Sequence, residues 1–300
     1  MTLMTDHREP RPVRIAYCGC DLFAGCLRLL LDSGRAEVLH IFCEIKGCEE
    51  VQALALERRI PISFRPISER DMEELFDRRG CDYVVSACYR WKIPIGDRRG
   101  VNLHPTLLPM GRGPWPFPHI ILEGHRDSGV TLHRLTDRFD AGDILLQQSF
   151  PLDPGETHQT LVLKSVITAP ELLREWLEDP ETLWQNARPQ GEGVYLKRLP
   201  QESARINVHD TPEEARLKIR AFGYGDIIVP GTGERYASAQ AFCQRDDRAP
   251  AEGTVLCKSR RDLAIAIRGG VLYIANAQVR RRRSLGARIT GRLKRLFGAR

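Results

Sequence analysis

The sequence predicts an α/β fold in which a parallel sheet is covered by helices on both faces and a smaller β-rich domain follows. Two observations support this prediction. In the first part of the chain, short apolar strands alternate with helical segments, which is the pattern of a parallel sheet. After about residue 200, short strands follow one another closely, which is typical of a small barrel or sandwich.

The first strand is predicted at residues 13–18, an apolar run that ends at Gly19. Residues 22–31 have helical periodicity and form the first predicted helix. Further strands are predicted at 37–43, 60–64, 82–87, 101–103, 129–135 and 144–150, and further helices at 49–58, 69–79, 116–124 and 157–178. Because ligands bind beyond the carboxyl ends of parallel strands, the residues that follow these strands are the candidates for a site.

Residues 179–200 are rich in proline, glycine and polar residues and are predicted to be a linker. A helix is predicted after it at 211–221, with short strands at 227–230, 253–258, 263–267 and 271–275. These boundaries divide the chain into an N-terminal extension (1–12), a first domain (13–200), a β-rich second domain (201–279) and a C-terminal tail (280–300).

Hydrophobic residues make up 42% of the chain and charged residues 28%, a globular composition that excludes a disordered or collagen-like protein. No apolar run approaches the roughly 18 residues of a membrane-spanning helix. The 9 cysteines are odd in number and no secretory signal precedes them, so we expect reduced thiols in a cytoplasmic protein. Cys18-Gly19-Cys20 lacks the C-x-x-C spacing of metal sites, and no metal is predicted.

The net charge of +6 is concentrated in the C-terminal tail. Residues 280–300 contain eight Arg, one Lys and no acidic residue, so the tail carries +9 and leaves −3 for residues 1–279. The apolar residues of the tail follow helical spacing, which predicts a basic amphipathic helix. The sequence leaves open whether this segment packs on its own domain, is disordered, lies on an anionic membrane surface or binds nucleic acid. It also leaves open whether the protein is a homodimer.

Asn102 and His104 stand at the end of the strand predicted at 101–103. Their spacing of two residues places both side chains on one face. An amide there can donate to a developing oxyanion, and histidine is the usual acid or base near neutral pH. Asp140 and Asp143, in FDAGDIL, are candidates for a carboxylate that orients the histidine. The turn after the first strand has a single glycine, which argues against a dinucleotide site.

The segments NLHPTLLPMGRGP and GVTLHRLTDRFDAGDIL resemble the folate-dependent formyltransferases. This family includes methionyl-tRNA formyltransferase, glycinamide ribonucleotide transformylase and sugar N-formyltransferases. The resemblance extends over about residues 13–180, and residues 203–280 resemble more weakly the barrel-like second domain of the tRNA and sugar enzymes. It implies a Rossmann-like formyltransferase catalytic domain followed by a β-rich, OB-like domain.

The resemblance also implies a reaction, which is formyl transfer from N10-formyltetrahydrofolate to a primary amine without a metal. It implies that Asn102 stabilises the oxyanion, that His104 delivers a proton and that Asp140 holds His104, whereas Asp143 is structural. His133 matches a family position and is predicted to be a structural histidine. The residues that match the pterin-binding segments of the family are Trp91, Lys92, Ile93, Thr136, Asp137, Arg138 and Phe139.

Four residues are candidates for the acceptor site: Tyr89, Arg90, Arg112 and Trp115. The tRNA enzymes carry a long basic loop after the second strand. The corresponding loop here, residues 44–48, is short and nearly neutral. The segment ACYRWKIP (residues 87–94) is more similar to the sugar enzymes than to the tRNA enzymes. A nucleotide-linked amino sugar is therefore the favoured acceptor. The alternatives are an aminoacyl-tRNA, an amino acid or secondary-metabolite amine, hydrolysis of the donor, and a non-catalytic binding protein.

Overall fold

The computed structural model describes residues 11–280, which form two compact units. Within this range the first unit comprises residues 11–154 and 159–198, and the second comprises 155–158 and 199–280. The basic helix predicted in the tail lies outside the described residues, so its membrane or nucleic-acid contact stays a prediction.

The first unit is built on a seven-stranded sheet with the order β3-β2-β1-β4-β5-β6-β7. Its strands are β1 (Val13–Gly19), β2 (Ala36–Phe42), β3 (Ile62–Ser63), β4 (Tyr83–Ala87), β5 (Gly100–His104), β6 (Asp127–Arg134) and β7 (Ile144–Pro151). Strands β1 to β5 run parallel, as predicted, whereas β6 is antiparallel to both β5 and β7. Residues 135–143 join β6 to β7, and this connection is shorter than the crossover of about a dozen residues that parallel strands need.

Six helices accompany this sheet. They are α1 (Ala24–Asp32), α2 (Glu49–Glu57), α3 (Glu69–Glu73, continued by a π-turn over Glu74–Arg78), α4 (Phe117–Leu122), α5 (His158–Trp176) and α6 (Pro180–Gln185). Helix α6 lies in the segment predicted to be a linker. The Asp179 side chain caps it by accepting the Thr182 N–H at 3.0 Å. The helix has only six residues, too few to show a periodic apolar stripe, so sequence periodicity missed it.

Alternate residues of β1 enter apolar layers on opposite faces of the sheet. Ile15 and Tyr17 belong to the cluster that includes Trp176 of α5. Cys18 packs on the other face with Met72 of α3. Because both faces are covered, the edge formed by the ends of the strands is the place where polar side chains can gather.

The second unit contains helix α7 (Pro212–Phe222) and two antiparallel sheets, with the orders β10-β13-β12-β11 and β14-β9-β8. Its strands are β8 (Gly225–Ile228), β9 (Arg235–Ser238), β10 (Gln240–Arg245), β11 (Val255–Lys258), β12 (Leu263–Ile267), β13 (Gly270–Ala275) and β14 (Gln278–Arg280). The β-rich prediction is confirmed. Strands β9, β10 and β14 were missed because they are rich in polar residues. Across residues 11–280 no helix is long and apolar enough to cross a membrane.

Candidate active site

Asn102 and His104 lie on β5, at the edge where the parallel strands end. Because two residues separate them along a strand, both side chains project to the same face. The neighbouring strand β6 pairs His133 with Asn102 and Thr131 with His104. The Asn102 Nδ2 atom lies 3.0 Å from His133 Nε2. Strand β6 therefore places a second histidine in the site.

His133 fixes the orientation of the Asn102 amide. The His133 Nδ1 atom lies 2.8 Å from the carbonyl oxygen of Arg134. Since a carbonyl oxygen only accepts hydrogen bonds, Nδ1 carries the proton and Nε2 is left as an acceptor. The Asn102 Nδ2 group is then the donor to Nε2. The structural role predicted for His133 therefore includes alignment of a candidate catalytic side chain.

Burial, followed by the nearby charge of His104, lowers the pKa of His133 to about 4. The unfolded chain has an ordinary histidine pKa of about 6.5 and binds this proton first, so stability falls as the pH falls from about 6.5 toward 4. We expect the free energy of unfolding to be about 2 kcal/mol lower at pH 5 than at pH 7 from this group. His133→Gln keeps an acceptor for Asn102 and should lack this component. Chemical denaturation of both proteins at both pH values tests it, and an equal pH dependence would contradict the assignment.

His104 is buried, with 4% of its surface exposed, and both of its ring nitrogens face oxygen atoms. Its Nε2 atom lies 2.8 Å from the Gly111 carbonyl oxygen and therefore carries a proton. Its Nδ1 atom lies 3.4 Å from Asp140 Oδ1. This separation is longer than a full hydrogen bond, and such contacts commonly tighten when substrate binds. Nδ1 is thus the nitrogen available for proton transfer.

Asp140 reaches the histidines from the loop between β6 and β7. Its backbone has a φ of 53°, in the left-handed region that Asp and Asn adopt more readily than other side chains. Its Oδ2 atom accepts the Gly113 N–H at 2.9 Å. Its Oδ1 atom faces His104 and lies 3.9 Å from His133 Nε2. The carboxylate is therefore held between the loop after β5 and both histidines.

Gly142 allows the turn that carries Asp140. A Cβ atom at this position would overlap the Arg134 carbonyl oxygen. The adjacent Asp143 instead pairs with Arg134, with Nη1 and Oδ2 3.1 Å apart. We expect Gly142→Ala to displace the turn, to lower stability by about 1–3 kcal/mol and to reduce activity.

Thermal unfolding and a turnover assay of the Gly142→Ala protein test this expectation. Gly155→Ala is the matched control, because a Cβ atom there meets open space. If both variants melt like the wild type, the tight approach at Gly142 does not exist in solution.

A buried arginine connects the site to the segment after α6. Arg112 is 8% exposed. It donates from Nε and Nη2 to Gln190 Oε1, at 2.9 and 2.8 Å, and from Nη1 to the Gly193 carbonyl oxygen at 3.3 Å. Gln190 Nε2 in turn donates to the Asp140 carbonyl oxygen at 3.0 Å. The guanidinium predicted for the acceptor site is thus engaged with residues 190–193. Gln190 was not predicted, because it lies in a polar segment without periodicity.

A cavity of about 60 Å³ lies beside Asn102, His133 and Asp140. All seven residues predicted to bind the donor line it: Trp91, Lys92, Ile93, Thr136, Asp137, Arg138 and Phe139. Ser86, Tyr89 and Leu135 complete its wall. The two segments predicted to bind the donor therefore face one cavity together with two of the three catalytic candidates.

The four residues predicted for the acceptor site are not gathered in this cavity. Tyr89 lines it. The Arg90 guanidinium instead pairs with Glu44 at 2.6 Å, and the Trp115 ring lies 5.0 Å from the Arg198 guanidinium. Arg112 is engaged as described above. Among residues 11–280 no cluster of His, Cys, Asp and Glu side chains could hold a metal ion.

Residues 45–175 match the family model described as formyl transferase. These residues therefore form a formyl transferase domain, and the chain is similar in sequence to folate-dependent formyltransferases. The methionyl-tRNA formyltransferase of Rickettsia africae is 28% identical to this chain over 250 residues, which cover 78% of this chain and 79% of that enzyme. The methionyl-tRNA formyltransferase of Treponema denticola is 40% identical over 131 residues, which cover 43% of this chain and 40% of that enzyme.

Solved structures share the formyltransferase fold. The N-formyltransferase from Helicobacter canadensis, in complex with folinic acid and dTDP-3-aminofucose, has a TM-score of 0.63 at 16% identity, covering 89% of this chain and 100% of that chain. HypX from Aquifex aeolicus, in complex with tetrahydrofolic acid, has a TM-score of 0.64 at 21% identity, covering 94% of this chain and 47% of that chain. This chain thus spans about half the length of HypX. At these identities the likeness confirms the predicted fold class.

Proposed function

We propose that this formyltransferase transfers a formyl group from N10-formyltetrahydrofolate to the primary amine of a small molecule. One observation carries the proposal. His104 and Asp140 approach to 3.4 Å, and Asp140 and Asn102 line the cavity formed by the two segments predicted to bind the donor. The donor supplies a nitrogen-bound formyl carbon that an amine can attack.

The residues around the cavity suit a folate. Trp91 and Ile93 offer aromatic and apolar surface for a pterin, and the cationic Lys92 and Arg138 suit carboxylates. The cavity of about 60 Å³ is smaller than the roughly 300 Å³ of the smallest typical ligand pockets. We therefore expect the segment at 136–139, whose Phe139 is half exposed, to move outward when the donor binds.

Three side chains meet the electrostatic and proton requirements of the transfer. The Asn102 amide nitrogen donates to the oxygen that becomes negative when the amine attacks, which stabilises the charge where it develops. His104 holds at Nδ1 the proton that the departing nitrogen requires. The Asp140 carboxylate offsets the positive charge of doubly protonated His104.

The connection between β2 and α2 supports a small-molecule acceptor. It covers residues 43–48 and contains Glu44 and Lys46 as its charged side chains. Glu44 pairs with Arg90, so this connection does not present a basic surface for a polynucleotide. Within this class, a nucleotide-linked amino sugar is the acceptor we propose. An aminoacyl-tRNA is the second candidate, favoured by the match that covers 79% of the Rickettsia enzyme.

The test is to supply purified full-length protein with N10-formyltetrahydrofolate and separate panels of amino-sugar nucleotides, amino acids and aminoacyl-tRNA. Release of tetrahydrofolate and formylation of the amine are both measured. We expect turnover with an amino-sugar nucleotide. Turnover confined to charged tRNA would establish the second candidate, and tetrahydrofolate release without any amine would establish hydrolysis. No turnover with any acceptor, together with no binding of the donor, would overturn the proposal.

A further inference from the structure

Four cysteines gather at the carboxyl edge of the sheet, and the proposed reaction uses none of them. Cys20 follows β1, Cys43 follows β2, Cys88 follows β4 and Cys48 precedes α2. The Cys48 thiol lies 3.9 Å from the Gly19 carbonyl oxygen, next to Cys20. All four are free thiols.

Cys20 and Cys88 have a backbone arrangement that suits a disulfide. Strands β1 and β4 are parallel neighbours whose last paired residues are Gly19 and Ala87, so Cys20 and Cys88 come next on each strand. A Cβ atom at Gly19 would lie 2.8 Å from the Ala87 carbonyl oxygen, which shows how closely the strand ends approach. Neighbouring strands lie about 4.8 Å apart, and disulfides join Cα atoms about 4.4–6.8 Å apart.

The surroundings of Cys20 favour its thiolate. Hydrogen bonding with the Cys88 thiol lowers the pKa of Cys20 to about 7, against an opposing effect of burial. The Leu22 backbone N–H also favours the thiolate, whereas the charges of Asp21 and Glu44 oppose it. Cys20 is therefore more ionised near pH 7 than an ordinary thiol, and the thiolate is the nucleophilic form.

Other thiols nearby are protected by burial. Burial raises the pKa of Cys43 and of Cys81 to about 12, and it also raises the pKa of Cys18 and of Cys48 above the ordinary thiol value. Cys20, in contrast, is partly exposed and Cys88 is exposed. Cys20 is therefore the thiol of this cluster that can attack, and Cys88 is the thiol placed to resolve the product.

We propose that Cys20 and Cys88 form a dithiol modification site that exchanges with low-molecular-weight disulfides, for which glutathione disulfide is the probe. The Cys20 thiolate attacks one sulfur of the probe, so a mixed disulfide forms and one glutathione thiolate leaves. The Cys88 thiol then loses its proton to water, and its sulfur attacks Cys20 Sγ and expels the second glutathione thiolate. The protein loses two electrons, and the probe is reduced to two thiols.

The new bond would form beside the cavity proposed to bind the donor. Cys88 has a left-handed backbone, with a φ of 59°, and begins the loop whose Tyr89 and Trp91 line that cavity. The disulfide would join this loop to the end of β1. The exchange chemistry itself does not depend on the proposed formyl transfer.

The experiment treats the reduced full chain with glutathione disulfide at pH 7, blocks free thiols with N-ethylmaleimide and analyses a tryptic digest by mass spectrometry. Cys20 lies in the tryptic peptide 15–28 and Cys88 in the peptide 80–90. We expect these peptides to be joined through Cys20 and Cys88, and we expect Cys20→Ser and Cys88→Ser to abolish the link. Cys18→Ala and Cys81→Ala are matched controls on the same peptides and should retain it.

A second measurement follows alkylation of Cys20 against pH. The midpoint should lie near 7 in the wild type, and Cys88→Ala should move it toward the ordinary thiol value of about 8.5. Glutathionylation without the cross-link, a cross-link through Cys48, or an unchanged midpoint in Cys88→Ala would overturn the proposal. Because neither readout involves formyl transfer, these outcomes are independent of the proposed enzymatic function.

Discussion

His104→Ala is expected to lower kcat for formyl transfer by about 10²–10⁴-fold, the usual contribution of a positioned acid or base. The Nδ1 atom of His104 faces Asp140 at 3.4 Å and is the proposed source of the proton for the departing nitrogen. A methyl group at this position cannot supply that proton. Tetrahydrofolate release at saturating donor and amine measures the effect, and circular dichroism and thermal unfolding report whether the variant is folded.

His125→Ala provides the matched control for this experiment. His125 lies after α4, and its Nε2 atom is 2.9 Å from Glu123 Oε2. It does not line the cavity beside Asn102 and Asp140. We expect its replacement to leave kcat unchanged. A folded His104→Ala protein that keeps wild-type turnover would remove His104 from the mechanism.

Asp140→Asn is expected to lower kcat by about 10²-fold, since it removes the charge that stabilises protonated His104. Asparagine is the informative replacement here, because it adopts left-handed backbone readily and Asp140 has a φ of 53°. Its amide oxygen can still accept the Gly113 N–H, which Asp140 Oδ2 accepts at 2.9 Å. The variant therefore tests the charge with little change in shape. Comparison of kcat with KM separates a loss in chemistry from a loss in binding.

Asp143→Asn is the control for the carboxylate. Asp143 pairs with Arg134 and is partly exposed, and ion pairs of this kind contribute about 0–1 kcal/mol. We expect its kcat to equal that of the wild type. Equal losses in both variants would mean that the loop as a whole, rather than the Asp140 charge, supports turnover.

The placement of Asn102 and His104 could be predicted from sequence, because side-chain alternation along a strand is a local property. The resemblance to the family added Asp140, which chain spacing alone could not separate from Asp143. A structural role was predicted for His133, but its contact with the Asn102 amide was not. It depends on the register between β5 and β6, and this register is a non-local pairing that neither strand's sequence specifies alone.

The helix α6 and the strands β9 and β14 show a second limit of sequence reasoning. They are short and rich in polar residues, so neither helical nor alternating periodicity marks them. Gln190 shows a third limit. It follows α6 in a polar segment, and its importance comes from two tertiary contacts, to Arg112 and to the Asp140 backbone.

These contacts of Gln190 bear on how the catalytic unit could be moved to another protein. The match to the formyl transferase family model ends at residue 175, and a graft of residues 11–175 would carry the whole seven-stranded sheet. It would leave behind the side chain that binds the backbone of Asp140 and the segment that receives the Arg112 guanidinium. A transplantable module therefore has to extend through residue 193, which is 18 residues beyond the end of the family-model match.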